Sequence, residues 1–268
     1  MPHTRVNGIE LYYEVHGAGE PLLLIAGLGF GAWSWFRQLP DFSREFLTIA
    51  FDNRGAGLSE KPEGDYTIEM MAEDAAGLLR ALNVERTHVL GHSMGGYIAQ
   101  ELALRHPDVV AKLVLVSTSF GGRNAVLMSA ETAAQMRSEL EVTGEEKERA
   151  LRRGLVLRFS ERFLAEHPEI IEEFLARRKA HLPPADAWQR QFAACLRFET
   201  ESRLSALRAP TLILTGSDDP IVPPENSFRL ARAIAGAHLV VFPGARHLVF
   251  IERAEDFNRL VIEFVKGA

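Results

Sequence analysis

The sequence predicts an α/β fold: a mostly parallel sheet with helices on both faces and a helical cap inserted into it. Three observations predict it. Short, unbroken apolar runs at 22–25, 113–116, 212–214 and 239–242 recur between helical patterns, as expected of strands covered on both faces. Residues 87–90 run extended into a small-residue turn, after which Ile98, Ala99, Leu102 and Ala103 share one helical face. From about residue 120 to 198 the strand-like runs disappear, and helical patterns rich in Glu and Arg replace them.

A chain of 268 residues fits one α/β domain, here with a core at 1–119 and 199–268 and a cap at 120–198. Apolar residues at 47% suffice for a sizeable core. Lys and Arg number 30 against 36 Asp and Glu, a net charge of -6 without a basic stripe, which argues against nucleic acid as a partner. A lone cysteine, Cys195, excludes an internal disulfide and a Cys-rich zinc site. The N-terminus lacks an apolar signal core and no run approaches membrane-spanning length, so a cytoplasmic protein with no membrane partner is expected. The oligomeric state is left open.

Asn7-Gly8 is a turn dipeptide, and Leu11, Tyr13 and Val15 alternate after it, so the chain begins as a hairpin at a sheet edge. The strand at 22–25 leads into the Gly-rich loop Ala26-Gly27-Leu28-Gly29-Phe30-Gly31. This loop has no Lys at the Walker spacing and no G-x-G-x-x-G, so a phosphate loop is disfavoured. The next strand is 46–51. Thr67 then opens a helix carrying Met71, Ala75, Leu78, Leu79 and Leu82 at helical spacing. In the cap, 129–141, 145–157 and 169–181 read as helices, with Pro168 at the start of the third and Pro183-Pro184 closing it. After 211–215 a helix of about 224–235 precedes the last strand. In the terminal helix Phe257, Leu260, Val261, Phe264 and Val265 form one stripe.

The chemistry centres on Gly91-His92-Ser93-Met94-Gly95, which matches G-x-S-x-G between strand and helix. A serine on so tight a turn has its hydroxyl pushed into the open, and side chains two positions before and after would collide, so both want glycine. The helix that starts there turns its free N–H groups and positive dipole end toward the site. The stretch resembles the nucleophile elbow of α/β-hydrolases. The plainer alternative is an ordinary small-residue joint between strand and helix.

A serine hydroxyl needs a base, and a base needs an orienting carboxylate, in the order Ser, acid, His along such a chain. Of nine histidines, His247 alone lies between the last strand and the terminal helix, which makes it the candidate base. The strand after the elbow helix ends in Ser117-Thr118-Ser119, without a carboxylate. The later strand end offers Asp218 and Asp219, and the family pattern G-x-x-D, counted from Gly216, selects Asp219. The resemblance also implies an oxyanion hole formed by the backbone N–H groups of Leu28 and Met94. The family's usual His before the loop glycine is replaced here by Ala26. Asp52-Asn53-Arg54-Gly55-Ala56-Gly57-Leu58-Ser59 is similar to the family's D-x-R-G-x-G-x-S segment, in which Arg54 is read as tying loops together. His92 is read as packing or loop support. No metal site and no cofactor are expected.

Within the family, the start of the chain, Phe51 to Gly55 and the elbow look most like 3-oxoadipate enol-lactonases and related carboxylesterases. The stretch from His247 to Val261 also resembles hydrolases that cleave C–C bonds of meta-cleavage products, although those commonly carry Trp after the catalytic His, where this chain has Leu248. The resemblance therefore implies a serine hydrolase acting on a small-molecule carboxylic ester or lactone. A C–C bond hydrolase and a ligand-binding receptor on the same fold are the alternatives. Trp33, Leu127, Met128, Trp188 and Phe192 are candidates to line the substrate pocket. Arg190 or Arg197 is the candidate to meet a second substrate carboxylate, because they flank the apolar stretch 192–196.

Overall fold

The computed structural model describes residues 2–142 and 144–267. Eight strands form one sheet: β1 (His3–Val6), β2 (Ile9–His16), β3 (Pro21–Ile25), β4 (Leu47–Phe51), β5 (Thr87–His92), β6 (Val110–Val116), β7 (Thr211–Gly216) and β8 (His238–Phe242). Their order is β1-β2-β4-β3-β5-β6-β7-β8. Only the first two pairings, β1 with β2 and β2 with β4, are antiparallel. The remaining strands run parallel, so all of their C-terminal ends open on one edge of the sheet.

Alternate residues of each central strand feed opposite cores. Leu23 and Ile25 of β3 pack with Ile98 and Leu102 of the helix Met94–Arg105 and with Met71 and Leu78 of Ile68–Ala81. Leu22 and Leu24 pack instead with Phe42 of Leu39–Glu45 and with Phe257, Val261 and Val265 of Ala254–Lys266. This two-sided burial is why the strands read as continuous apolar runs. The predicted strand 46–51 begins one residue later because Phe46 caps the helix Leu39–Glu45, which the sequence reading did not include. Thr67 caps the helix Ile68–Ala81 as expected, its side chain accepting from Met70 N at 3.1 Å.

Between β6 and β7 the chain is helical, with Ala130–Glu141, Gly144–Arg153, Leu155–Arg158, Glu161–Glu166, Pro168–Ala180 and Ala185–Arg197 in turn. An isolated antiparallel bridge pairs Gly121 with Glu199 where this insert leaves and rejoins the sheet. The predicted helix 145–157 is interrupted at Gly154. A Cβ there would lie 2.0 Å from Glu139 Oε1, so the break lets two buried segments meet. The helix Ala185–Arg197 was not read from sequence. Its buried face is Ala187, Trp188, Gln191 and Ala194, a stripe with a polar centre and two alanines.

Candidate active site

The residues that β5 delivers to the open edge of the sheet are set by close packing. Ser93 has φ 55° and ψ -120°, a left-handed conformation costly for a residue with a side chain. It is held there from three directions. Its N–H donates to Val116 O at 2.9 Å, and its carbonyl accepts from Gly96 N and from Thr118 Oγ1, both at 2.8 Å. The two flanking glycines are steric necessities. A Cβ on Gly91 would lie 2.2 Å from Gly95 O, and one on Gly95 would lie 2.0 Å from Ile25 O. Gly27 brings the neighbouring loop within 3.1 Å of Ser93 Cβ by the same measure.

The loops after β7 and β8 meet beside this turn. His247 Nδ1 lies 2.8 Å from Asp219 Oδ2, and both side chains are buried. The other oxygen, Asp219 Oδ1, accepts from Ile221 N at 2.9 Å and Val222 N at 3.0 Å. The two N–H groups fix the carboxylate in place and leave Oδ2 aimed at the ring. Asp218 is exposed, and its Oδ1 accepts from Ser217 Oγ instead. Ser93 and His247 line one cavity together with Leu28 and Met94.

The Leu28 loop is clamped by the helical insert. Gly29 N donates to Gln191 Oε1 at 2.9 Å, and Gly29 O accepts from Arg178 Nη1 at 2.7 Å. Asn53 Nδ2 donates to Ala26 O at 3.0 Å. Gly29 itself has φ +67°, and a Cβ there would press to 2.7 Å from Trp188. In the segment after β4, the charged side chains have buried partners within the fold. Arg54 makes a two-pronged ion pair with Asp74 at 2.5 and 2.7 Å, and Asp52 accepts from Ala32 N and Leu58 N, both at 2.7 Å.

The expected pocket residues divide. Met128, Trp188 and Phe192 line the Ser93 cavity. Trp33 does not reach it. It lies behind Phe30, with which it stacks at 5.2 Å, and borders a different cavity with Asp52 and His181. Leu127 is 73% exposed and belongs to a second, apolar cavity that shares Tyr97, Met128, Phe192 and Cys195 with the first. Neither Arg190 nor Arg197 faces the Ser93 cavity. Arg190 pairs with Asp186 at 3.0 Å beside Tyr66, and Arg197 donates to Tyr66 O at 2.9 Å. The arginines in the cavity wall are Arg158 and Arg178. One signal could have found Arg178: it continues the buried stripe Ile171, Phe174 and Leu175 at helical spacing. Among the described residues, no group of three or more His, Cys, Asp or Glu could hold a metal ion, and no helix is long and apolar enough to cross a membrane.

The strained serine turn after a central parallel strand, with a histidine in the last loop, defines a class. The chain belongs to the alpha/beta hydrolase fold family, which it matches over residues 20–254, and is a hydrolase of that fold. It is 32% identical to a protein named as a carbamate hydrolase, RutD, of Azorhizobium caulinodans, over 98% of each chain. It is 34% identical to 2-hydroxymuconate semialdehyde hydrolase of a Pseudomonas species, covering 97% of this chain and 92% of that one. Its structure superposes on the enol-lactonase of Burkholderia xenovorans with a TM-score of 0.85 at 27% identity, covering 98% of this chain and 99% of the other.

Proposed function

We propose that this chain is a serine hydrolase that cleaves a small-molecule carboxylic ester or lactone through an acyl-enzyme, without a cofactor. The observation that carries the reading is the 2.8 Å contact between His247 Nδ1 and Asp219 Oδ2, at a cavity that also holds Ser93. With Nδ1–H donated to the carboxylate, His247 Nε2 is the free base. It takes the proton of Ser93 as Oγ attacks the carbonyl carbon. The N–H groups of Leu28 and Met94 receive the oxyanion, each worth about 3 kcal/mol to the transition state. Collapse breaks the C–O bond, and the departing oxygen takes the proton back from His247. Water, activated by the same histidine, then releases the acid. In this reading the core, 1–119 and 199–268, supplies the reacting groups. The cap, 120–198, supplies Met128, Trp188 and Phe192 as apolar wall.

A carbamate offers the same acyl carbon, and the similarity to RutD proteins favours it as a second substrate class. The C–C bond reading rests on the similarity to 2-hydroxymuconate semialdehyde hydrolase, but Leu248, fully buried, stands where that group commonly has Trp. Ser93→Ala should lower kcat by about 10⁴ to 10⁶ without loss of fold. A serine-directed phosphonate should label the wild type once, at Ser93. A panel of esters, lactones, carbamates and dienoates then ranks the classes by kcat/KM. Labelling that persists in Ser93→Ala would overturn the mechanism, and a single stoichiometric turnover on every substrate would make the protein a receptor.

A further inference from the structure

We infer that the phenol of Tyr97 is a neutral hydrogen-bond donor to the substrate, oriented by Ser119, so that the preferred ester or lactone carries an uncharged ether or ketone oxygen in the apolar cavity that adjoins Ser93. The inference deepens the proposed function and rests on it in taking the Ser93 cavity as the reaction site.

Tyr97 follows Ser93 by one turn of the helix Met94–Arg105 and borders both the Ser93 cavity and the second, apolar one. Its ring is fixed by stacking on Phe198, with centroids 4.3 Å apart and planes 21° from parallel. Its hydroxyl lies 2.9 Å from Ser119 Oγ. Ser119 is itself anchored: its Oγ accepts from Gly121 N at 3.2 Å, and its carbonyl accepts from Gln100 Nε2 at 2.8 Å. The two hydroxyls hold two protons and share one bond. Whichever oxygen donates in that bond, the other proton has no acceptor among the described residues. Such a surplus donor is costly in a buried place, and Ser119 is only 4% exposed.

The surplus proton belongs to Tyr97. Ser119 Oγ already accepts from Gly121 N, and of the pair only Tyr97 borders both cavities. With Ser119 donating to Tyr97, the phenolic O–H turns to the cavity, and the chain from Gly121 N–H through Ser119 strengthens it as a donor. Burial pushes the Tyr97 pKa up, so the phenol keeps its proton at neutral pH. What it meets is uncharged. Among the described residues no Asp, Glu, Lys, Arg or His lines the second cavity, whose wall includes Val126, Met128, Phe192, Leu196, Ile221 and Val222. A carboxylate there would lose its water with no cation to replace it. The Cys195 thiol in that wall is a weak donor, and burial pushes its pKa up to about 12, so it offers no charge either. An ether or ketone oxygen on an otherwise apolar chain fits this wall: it accepts one hydrogen bond and brings no donor of its own.

Matched neutral esters test this. Methyl hexanoate and hexyl acetate are each compared with analogues in which one chain CH₂ is replaced by an ether oxygen, at successive positions. The first series carries the oxygen on the acyl side and the second on the alcohol side. The readout is the ether-to-parent ratio of kcat/KM in the wild type, divided by the same ratio in Tyr97→Phe, so that intrinsic ester reactivity cancels. At least one analogue should give a quotient of about fivefold or more. Phenylalanine keeps the stacking on Phe198, and any damage to packing moves ether and parent together and leaves the quotient at one. Ser119→Ala, which leaves the phenol without its orienting partner, should give a ratio between those of the wild type and Tyr97→Phe. A quotient near one at every position in both series overturns the subsite. Titration calorimetry of the same pairs on Ser93→Ala and on Ser93→Ala/Tyr97→Phe reads the subsite without turnover. Esters turned over with no Tyr97-dependent preference would sink the subsite and leave the hydrolase. A Tyr97-dependent ether preference in binding, in a protein that turns over no ester, would do the reverse.

Discussion

The ring of His92 is fastened to the backbone of His247: His92 Nε2 lies 3.1 Å from the His247 carbonyl oxygen, with the two ring centroids 4.7 Å apart. Burial drives the His92 pKa well below its ordinary value, and the neighbouring His247 adds to the shift. His92 is therefore neutral, its Nε2–H donates, and the loop after β8 is pinned to the end of β5. The residue next to Ser93 thus places the candidate base.

This pinning has a pH signature. A histidine whose folded pKa is depressed binds its proton more readily in the unfolded chain. Stability is then fully present above the unfolded pKa, about 6.5, and is lost as pH falls toward the folded value. Burial lowers His88 as well, against the pull of Glu20. Urea unfolding should give a free energy that is flat above about pH 6.5 and declines below it, by up to about 1.4 kcal/mol per pH unit for each such histidine. His92→Phe should flatten the slope between about pH 5 and 6.5. A slope unchanged in that variant would mean His92 titrates normally.

Asp219 and Asp218 are neighbours with opposite surroundings. Asp219 is buried, holds two backbone N–H groups on one oxygen and faces His247 with the other, whereas Asp218 is exposed. Asp219→Asn should lower kcat by about 10³ to 10⁴, because an amide N–H facing Nδ1 favours the wrong tautomer. Asp218→Asn should change kcat less than about threefold. Steady-state kinetics of the two purified variants decide it, and equal small losses would place the orienting acid elsewhere.

The sheet was legible because two-sided burial writes unbroken apolar runs, and Ser93 and His247 stood out because they follow such runs at the sheet's open edge. The insert was harder to read. Gly154 breaks a helix through a contact with Glu139, fifteen residues away, which no local propensity encodes. Arg178 sits in a run, Arg177-Arg178-Lys179, in which one residue is buried and its neighbours face water. The flanking logic that favoured Arg190 and Arg197 failed because their helix turns both toward Tyr66.

Arg54 is a charged loop residue whose partner lies on a helix of the core. It and Asp74 are nearly inaccessible, at 9% and 2% of the side chain. Asp74 also accepts from Asn7 Nδ2 at 3.0 Å, joining the first hairpin to the helix Ile68–Ala81. Asp74→Ala leaves a buried guanidinium without its partner and should cost about 3–5 kcal/mol of stability, read by urea unfolding. In molecules that remain folded, kcat should stay within about threefold of wild type. A large kcat loss with little loss of stability would instead give Arg54 a part in the reaction.

The replacement of the family's loop histidine by Ala26 raises the question of what holds the Leu28 loop. The loop is gripped at Gly29, whose N–H is taken by Gln191 and whose carbonyl is taken by Arg178. Gln191 is fully buried, and its Nε2 donates to Arg54 O at 2.7 Å, so the side chain spans two loops of the core from a helix of the insert. On the proposed mechanism this sets the Leu28 N–H against the developing oxyanion, an interaction made in the transition state rather than in the bound substrate. Gln191→Met keeps the length and apolar packing and removes both hydrogen bonds. It should lower kcat by about tenfold to a hundredfold, the scale of a displacement near 1 Å in a positioned donor, with KM changed less than about threefold. Steady-state kinetics and a thermal melt on the same preparation separate the roles. A lowered Tm with unchanged kcat would reduce Gln191 to a packing residue. A raised KM with unchanged kcat would place it in substrate binding.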